Sequence, residues 1–234
     1  KNPLHKHFDL IAGTSTGGIV AIMLSLGYTT DEILLLYTKH GDKIFKKSFL
    51  RFGIFRPKYD DTYFNTILKR YVGDKKLSDI EKDLLVVSYN ATIKDKKIFK
   101  SSKAKQNPMY DFDLFDVIRS TASAPSFFKP HKIKDSSAFY IDGGLVINNP
   151  SMVSWVEALN QENKYDKINI ISFSTGSIEK PLTNKIAKGG IISWASPSVA
   201  ILLAEQSTIT DYHMTKLYQR EPGIYVRCNS ILEN

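Results

Sequence analysis

The segment Gly13-Thr14-Ser15-Thr16-Gly17-Gly18 constrains this chain more than any other. It follows the short apolar run Phe8-Asp9-Leu10-Ile11-Ala12 and precedes Ile19 to Leu26, which is apolar and helix-compatible. A short apolar run closed by glycine suits a buried strand of a mostly parallel sheet, so the local reading is strand, tight turn, helix. In that setting G-x-S-x-G has the form of a nucleophile elbow: small residues beside the serine let the backbone turn sharply and raise the hydroxyl above the sheet. The helix that follows aims its free N–H groups at developing negative charge. The same pattern also serves as a glycine-rich phosphate-binding or packing turn, so the rest of the chain has to discriminate.

Periodicity along the chain interleaves strands and helices. Gly27 stands where a helix C-cap wants a positive φ, and Thr29 with Glu32 forms a capping-box signature ahead of Ile33 to Tyr37. Leu84 to Thr92 is rich in β-formers, and Lys96 to Lys100 returns from a turn around Asp95, which predicts a hairpin with its lysines at a sheet edge. Leu114 to Ala122 predicts a helix that stops before Pro125. Phe139-Tyr140-Ile141 leads into Asp142-Gly143-Gly144, Lys167 to Phe173 predicts a strand closed by Gly176, and Ser198 to Leu217 predicts a long helix. With 234 residues, no internal repeat and no low-complexity linker, the expectation is one α/β domain.

Composition narrows the partners. No uninterrupted apolar stretch exceeds the six residues of Ile19 to Leu24, far short of the ~20 that cross a bilayer, and no signal-peptide pattern opens the chain. The expected setting is the cytoplasm or the periphery of a membrane. One cysteine, Cys228, cannot form an intramolecular disulfide. The net charge is +8, carried by 26 lysines and only 6 arginines, which favours an anionic surface over base-reading, so no nucleic acid is expected. Lys94, Lys96, Lys97, Lys100, Lys103 and Lys105 face only Asp95 within their stretch. That run suits an anionic membrane and serves equally as a solvated, solubilising edge.

A serine hydroxyl needs a base within hydrogen-bond reach. None of the five histidines, His5, His7, His40, His131 and His213, lies in a motif that announces one. Asp142 is the strongest carboxylate, because it ends an apolar run and precedes two glycines that let backbone pass close by, although Asp-Gly is also a common turn.

Taken together, these segments resemble the patatin-like phospholipases. Beyond Gly13 to Gly18 and Asp142-Gly143-Gly144, the chain carries Ser123-Ala124-Pro125-Ser126-Phe127-Phe128-Lys129-Pro130, Asn148-Asn149-Pro150, Ser172-Phe173-Ser174-Thr175-Gly176 and Asp211-Tyr212-His213 in the family's order. The resemblance implies a three-layer α/β fold with a mostly parallel central sheet flanked by helices. It also implies a Ser15 nucleophile with Asp142 as its direct base. Gly13, Thr16, Gly17 and Gly18 would then support the elbow and oxyanion hole, and Gly143 and Gly144 the aspartate motif. The substrate implied is a phospholipid or other acyl-ester lipid.

The family's glycine-rich oxyanion loop has no counterpart ahead of Phe8, so residues 1–234 read as a single patatin-like domain lacking its first strand. Two other readings stand beside the dyad: a Ser15, Asp142, His213 triad in α/β-hydrolase order, and a non-catalytic membrane- or partner-binding module. The aromatics Phe45, Phe49, Phe52, Phe55, Tyr59 and Tyr63 read either as acyl-chain or membrane contacts or as core. No cofactor or metal is expected, since the histidines are scattered and Asp60-Asp61 lacks the ligand spacing of a calcium loop. An activating protein partner is not specified by any motif.

Overall fold

The computed structural model describes residues 3–46, 57–134, 136–160, 166–176, 183, 186 and 188–230. Contacts divide the chain into two compact units, residues 1–146 and 147–234.

In the first unit a 3-10 turn, Leu4–His7, precedes β1, Leu10–Thr14. The strand is shifted by two residues from the expected Phe8 to Ala12. The turn takes up the preceding segment, and parallel pairing to β2 (Asp83–Asn90) runs from Leu10↔Asp83 to Thr14↔Val87. That register carries the strand to the edge of Ser15. Helix α1, Thr16–Ser25, ends as its sequence predicts: Gly27 adopts φ 90, its N–H reaches Leu24 O, and Tyr28 N–H reaches Met23 O. Helix α2, Thr30–Ile44, starts on the capping box, with Thr29 N donating to Glu32 Oε2 and Glu32 N to Thr29 Oγ1. The helical period splits its apolar run, burying Ile33 and Leu36 and leaving Leu34 and Leu35 exposed.

Helix α3, Thr62–Val72, follows the segment 57–61. The hairpin of β2 and β3, Asp95–Lys100, is present with its turn at residues 91–94, where Asn90 Oδ1 accepts from Thr92 and Ile93 N–H and Lys94 takes φ 57. Then come α4, Ser101–Gln106, α5, Leu114–Ala122, and the short strands β4, His131–Lys132, and β5, Phe139–Asp142.

The architecture is α/β, with helices flanking a sheet whose centre is β2. Leu84 and Val86 on one face of β2 and Leu85 and Val87 on the other are all exposed by 2% or less, which is why the strand is nearly continuous in apolar residues. Pairing within this sheet is mixed, where a mostly parallel one was expected: β1 runs parallel to β2, while β2–β3, β2–β5 and β4–β5 are antiparallel. A four-residue turn can return β3 only antiparallel, because a parallel return needs a long crossover.

The register has one decisive consequence. Leu85, Val86 and Val87 pair with both β1 and β3, and Ser88, Tyr89 and Asn90 pair with both β3 and β5. Each strand has two edges, so β1 and β5 share the edge opposite β3 and approach end to end. They meet where Thr14 pairs with Val87 and Asp142 pairs with Ser88. The residue after β1 and the last residue of β5 are therefore neighbours.

In the second unit, α6 (Ser151–Leu159) and α7 (Ile191–Leu217) accompany two parallel strands, β6 (Ile170–Phe173) and β7 (Tyr225–Cys228), paired from Ile170↔Tyr225 to Phe173↔Cys228. Helix α7 begins before Pro197 rather than after it, because the backbone bond missing at one proline interrupts a 27-residue cooperative helix only locally. No helix among the described residues is long and apolar enough to cross a membrane.

Candidate active site

Ser15 is the N-cap of α1 and holds φ 55, ψ −123. A non-glycine residue rarely adopts this conformation, at a cost of about 1 to 3 kcal/mol. Three contacts hold it there. Its carbonyl accepts from Gly18 N (2.9 Å) and Ile19 N (3.2 Å), and its own N–H donates to Thr121 Oγ1 at 2.8 Å. Thr121, buried on α5, donates its own hydroxyl hydrogen bond to Val87 O on β2. Sheet, elbow and helix are thus tied at one side chain.

The glycines of the motif differ in what they do. A Cβ on Gly13 would lie 2.1 Å from Gly17 O, so the turn closes only without a side chain there. A Cβ on Gly18 would lie 2.8 Å from Thr121 Cγ2, which makes this glycine the seat of the α1–α5 contact. A Cβ on Gly17 meets nothing within 4 Å. The N–H groups of Thr16 and Gly17 head the helix with no acceptor among the described residues.

Asp142 is 7% exposed and ends β5. Its N–H donates to Ser123 O at 3.0 Å, its Oδ1 accepts from Gly144 N at 2.8 Å, and its Oδ2 accepts from Ser15 Oγ at 2.5 Å. Gly143 permits the approach, since a Cβ there would sit 2.3 Å from Val87 O. Burial pushes the carboxyl above the ordinary aspartate range, while the hydrogen bonds from Ser15 and Gly144 pull it back. The result is a carboxylate in direct contact with a hydroxyl, more basic than an exposed aspartate, which is the chemistry a general base requires.

Beside the pair lies a cavity of about 170 Å³. Its wall is built from Ile19, Leu36, Ile44, Phe64 and Phe128, with Tyr37, half-exposed Phe45 and Phe127 also bordering it. Tyr37 donates to Thr16 O at 3.4 Å, and burial raises its phenol well above the usual range, so it remains protonated. Of the aromatics singled out in the sequence, Phe45 borders this cavity, Tyr59 is buried core and Tyr63 bonds His40 Nδ1 at 2.7 Å. Phe49, Phe52 and Phe55 lie outside the described residues.

His131 pairs with Asp116 at 2.7 Å, and His5 is buried. His213 lies on α7 in the second unit, exposed, with its ring against Tyr212. Thr121 was invisible to sequence reasoning: it lies 106 residues from Ser15, in a helix where threonine carries no motif. Its one sequence signal is its place just ahead of Ser123-Ala124-Pro125.

A family model described as patatin-like phospholipase matches residues 2–155, about two thirds of the chain and all of the Ser15–Asp142 geometry. The chain belongs to this family. Among its patatin relatives, "Probable inactive patatin-3-Kuras 1" of Solanum tuberosum is 27% identical over 92% of the chain and 65% of its own length. "Patatin-like protein 2" and "Patatin-like protein 4" of Arabidopsis thaliana are each 27% identical over 92% of the chain and 63% of their lengths. The chain thus spans under two thirds of these patatin relatives.

Proposed function

We propose that this chain is a lipid acyl hydrolase of the phospholipase A or lysophospholipase type, with Ser15 as nucleophile and Asp142 as base. The observation that carries the reading is the direct Ser15 Oγ to Asp142 Oδ2 hydrogen bond beside an apolar cavity. One relative carries the name "Probable inactive patatin-3-Kuras 1", so the reading rests on the pair rather than on family membership, and the intact pair favours an active enzyme.

Asp142 takes the Ser15 proton as Oγ attacks the ester carbonyl, and it returns that proton to the departing alkoxide as the acyl-enzyme forms. Water then gives a proton to Asp142 and attacks the acyl carbon, and Ser15 recovers the proton as the fatty acid leaves. The oxyanion is assigned to the Thr16 N–H, with Gly17 N–H beside it at the start of α1; one such donor typically contributes about 2.7 to 4 kcal/mol. The acyl chain is assigned to the cavity. The basic edge of β3 and α4 is assigned to peripheral contact with an anionic membrane.

The test is hydrolysis of phospholipid vesicles and a short-chain nitrophenyl ester by wild type, Ser15→Ala, Asp142→Asn and His213→Ala. Loss by about three orders of magnitude in the first two variants, with His213→Ala unaffected, is the expected result. Loss in a folded His213→Ala would replace the dyad by a triad. Silence from folded wild type would leave a binding module.

A further inference from the structure

Beside the cavity, the chain brings a lysine against the wall in a way the catalytic pair does not explain. Lys58 N donates to Ser126 O at 2.9 Å and Tyr59 N to Phe127 O at 3.0 Å, so residues 58–59 are laced to the backbone of 126–127. Phe127 borders the cavity together with Ser15 and Asp142 and is 41% exposed. The Lys58 ammonium lies 5.2 Å from the Phe127 ring centre and 5.3 Å from that of Tyr59, two rings that stack at 5.8 Å.

Its neighbours are differently placed. Lys129 Nζ faces Asp61 Oδ1 at 3.7 Å, and the other oxygen of that carboxylate faces the buried Arg119 at 3.2 Å. Those two cations share one anion, whereas the Lys58 ammonium has aromatic faces and no carboxylate among the described residues. Cation–π contact holds an ammonium in place without neutralising it.

We propose that Lys58 is an anion-binding subsite at the cavity mouth that receives the phosphate of a phospholipid whose acyl chain lies in the cavity. The proposal rests on the acyl-hydrolase reading for the chain's position. The chemistry fits the spacing: in a glycerophospholipid only a short glyceryl link separates the acyl carbonyl from the phosphate, and here one aromatic ring separates the cavity from the ammonium. A lysine ammonium is a compact point charge that donates to phosphate oxygens, which favours phosphate-bearing over neutral esters at this position.

The experiment separates this subsite from catalysis and from bulk membrane charge. Binding of a monomeric short-chain phosphatidylglycerol, a matching phosphatidylcholine and a matching neutral diacylglycerol is measured by calorimetry on Ser15→Ala, alone and combined with Lys58→Gln, Lys58→Arg or Lys129→Gln. Hydrolysis of the neutral nitrophenyl ester is followed in parallel in the Ser15-containing chain. Lys58→Gln is expected to weaken both phospholipids about tenfold and leave the diacylglycerol unchanged, with Lys58→Arg restoring affinity and Lys129→Gln having no selective effect. Equal weakening for neutral and phosphate-bearing lipids, or none for either, overturns the subsite. So does a Ser15→Ala chain that binds no phospholipid. A loss confined to phosphatidylglycerol would assign Lys58 to the net-charged headgroup and overturn the phosphate assignment. Absence of nitrophenyl ester hydrolysis counts against the hydrolase reading alone.

Discussion

Ser15 and Asp142 each carry a local cost that the surrounding structure bears. The positive φ of Ser15 predicts that Ser15→Gly is more stable than Ser15→Ala by about 1 kcal/mol, because glycine alone adopts that conformation freely. Equal chemical denaturation midpoints for the two variants would contradict the strain. For Asp142 the sign follows from its raised pKa: the folded state holds the proton more tightly than the unfolded chain. Stability from this group is therefore full at low pH and declines as pH rises from the ordinary aspartate value to the raised one. Asp142→Asn should melt higher than wild type at neutral pH while losing hydrolysis, with an advantage that shrinks on acidification through that window. Activity should fall as pH drops through the raised value, leaving an acid limb above that of an exposed aspartate. An Asp142→Asn melting temperature below wild type at neutral pH would mean that burial is not the dominant influence on this carboxyl.

At the scale of elements, the elbow works because β1 is carried to Thr14 by its pairing with β2 and α1 starts immediately beyond. The two glycines of G-x-S-x-G are not equivalent in that joint. Gly13→Ala places a methyl against backbone and is expected to prevent the turn, whereas Gly17→Ala meets open space at a helical position and should fold with stability equal to wild type or up to about 1 kcal/mol higher. Circular dichroism melts of the two variants check this, and a Gly17→Ala chain as disrupted as Gly13→Ala would contradict it. The strand–turn–helix reading, the Thr29–Glu32 capping box and the α5 helix were legible in sequence because each depends on neighbours within a few residues. The antiparallel arrival of β5 was not, because strand direction is set by partners far along the chain.

For the molecule as a whole, the lysine run lies at a sheet edge, since β3 pairs only with β2 among the described strands. Structure sorts its members. Lys97 is half-buried, with its ammonium 4.7 Å from the Phe112 ring centre, and Lys105 donates to Glu81 O, while Lys94, Lys96 and Lys103 are exposed. Replacing Lys94, Lys96 and Lys103 by glutamine should weaken binding to anionic vesicles by up to about 3 kcal/mol, at about 1 kcal/mol per lysine, with no change on neutral vesicles. Sedimentation of vesicles across a salt series reads the effect. Unchanged affinity would show the edge to be a solvated surface only.

Features written in local order are legible without the fold: an α/β alternation, a serine between small residues at a strand-to-helix junction, and an aspartate ahead of paired glycines. Tertiary structure alone decided that the serine and the aspartate meet. β1 and β5 share one edge of β2 and end at Val87 and Ser88, which closes a separation of 127 residues to a 2.5 Å hydrogen bond. The same packing chose Thr121 as the acceptor for Ser15 N–H and set Lys58 beside Phe127. Local periodicity reports which face of an element is apolar; contacts between distant segments depend on strand register and helix packing, which the whole chain sets at once.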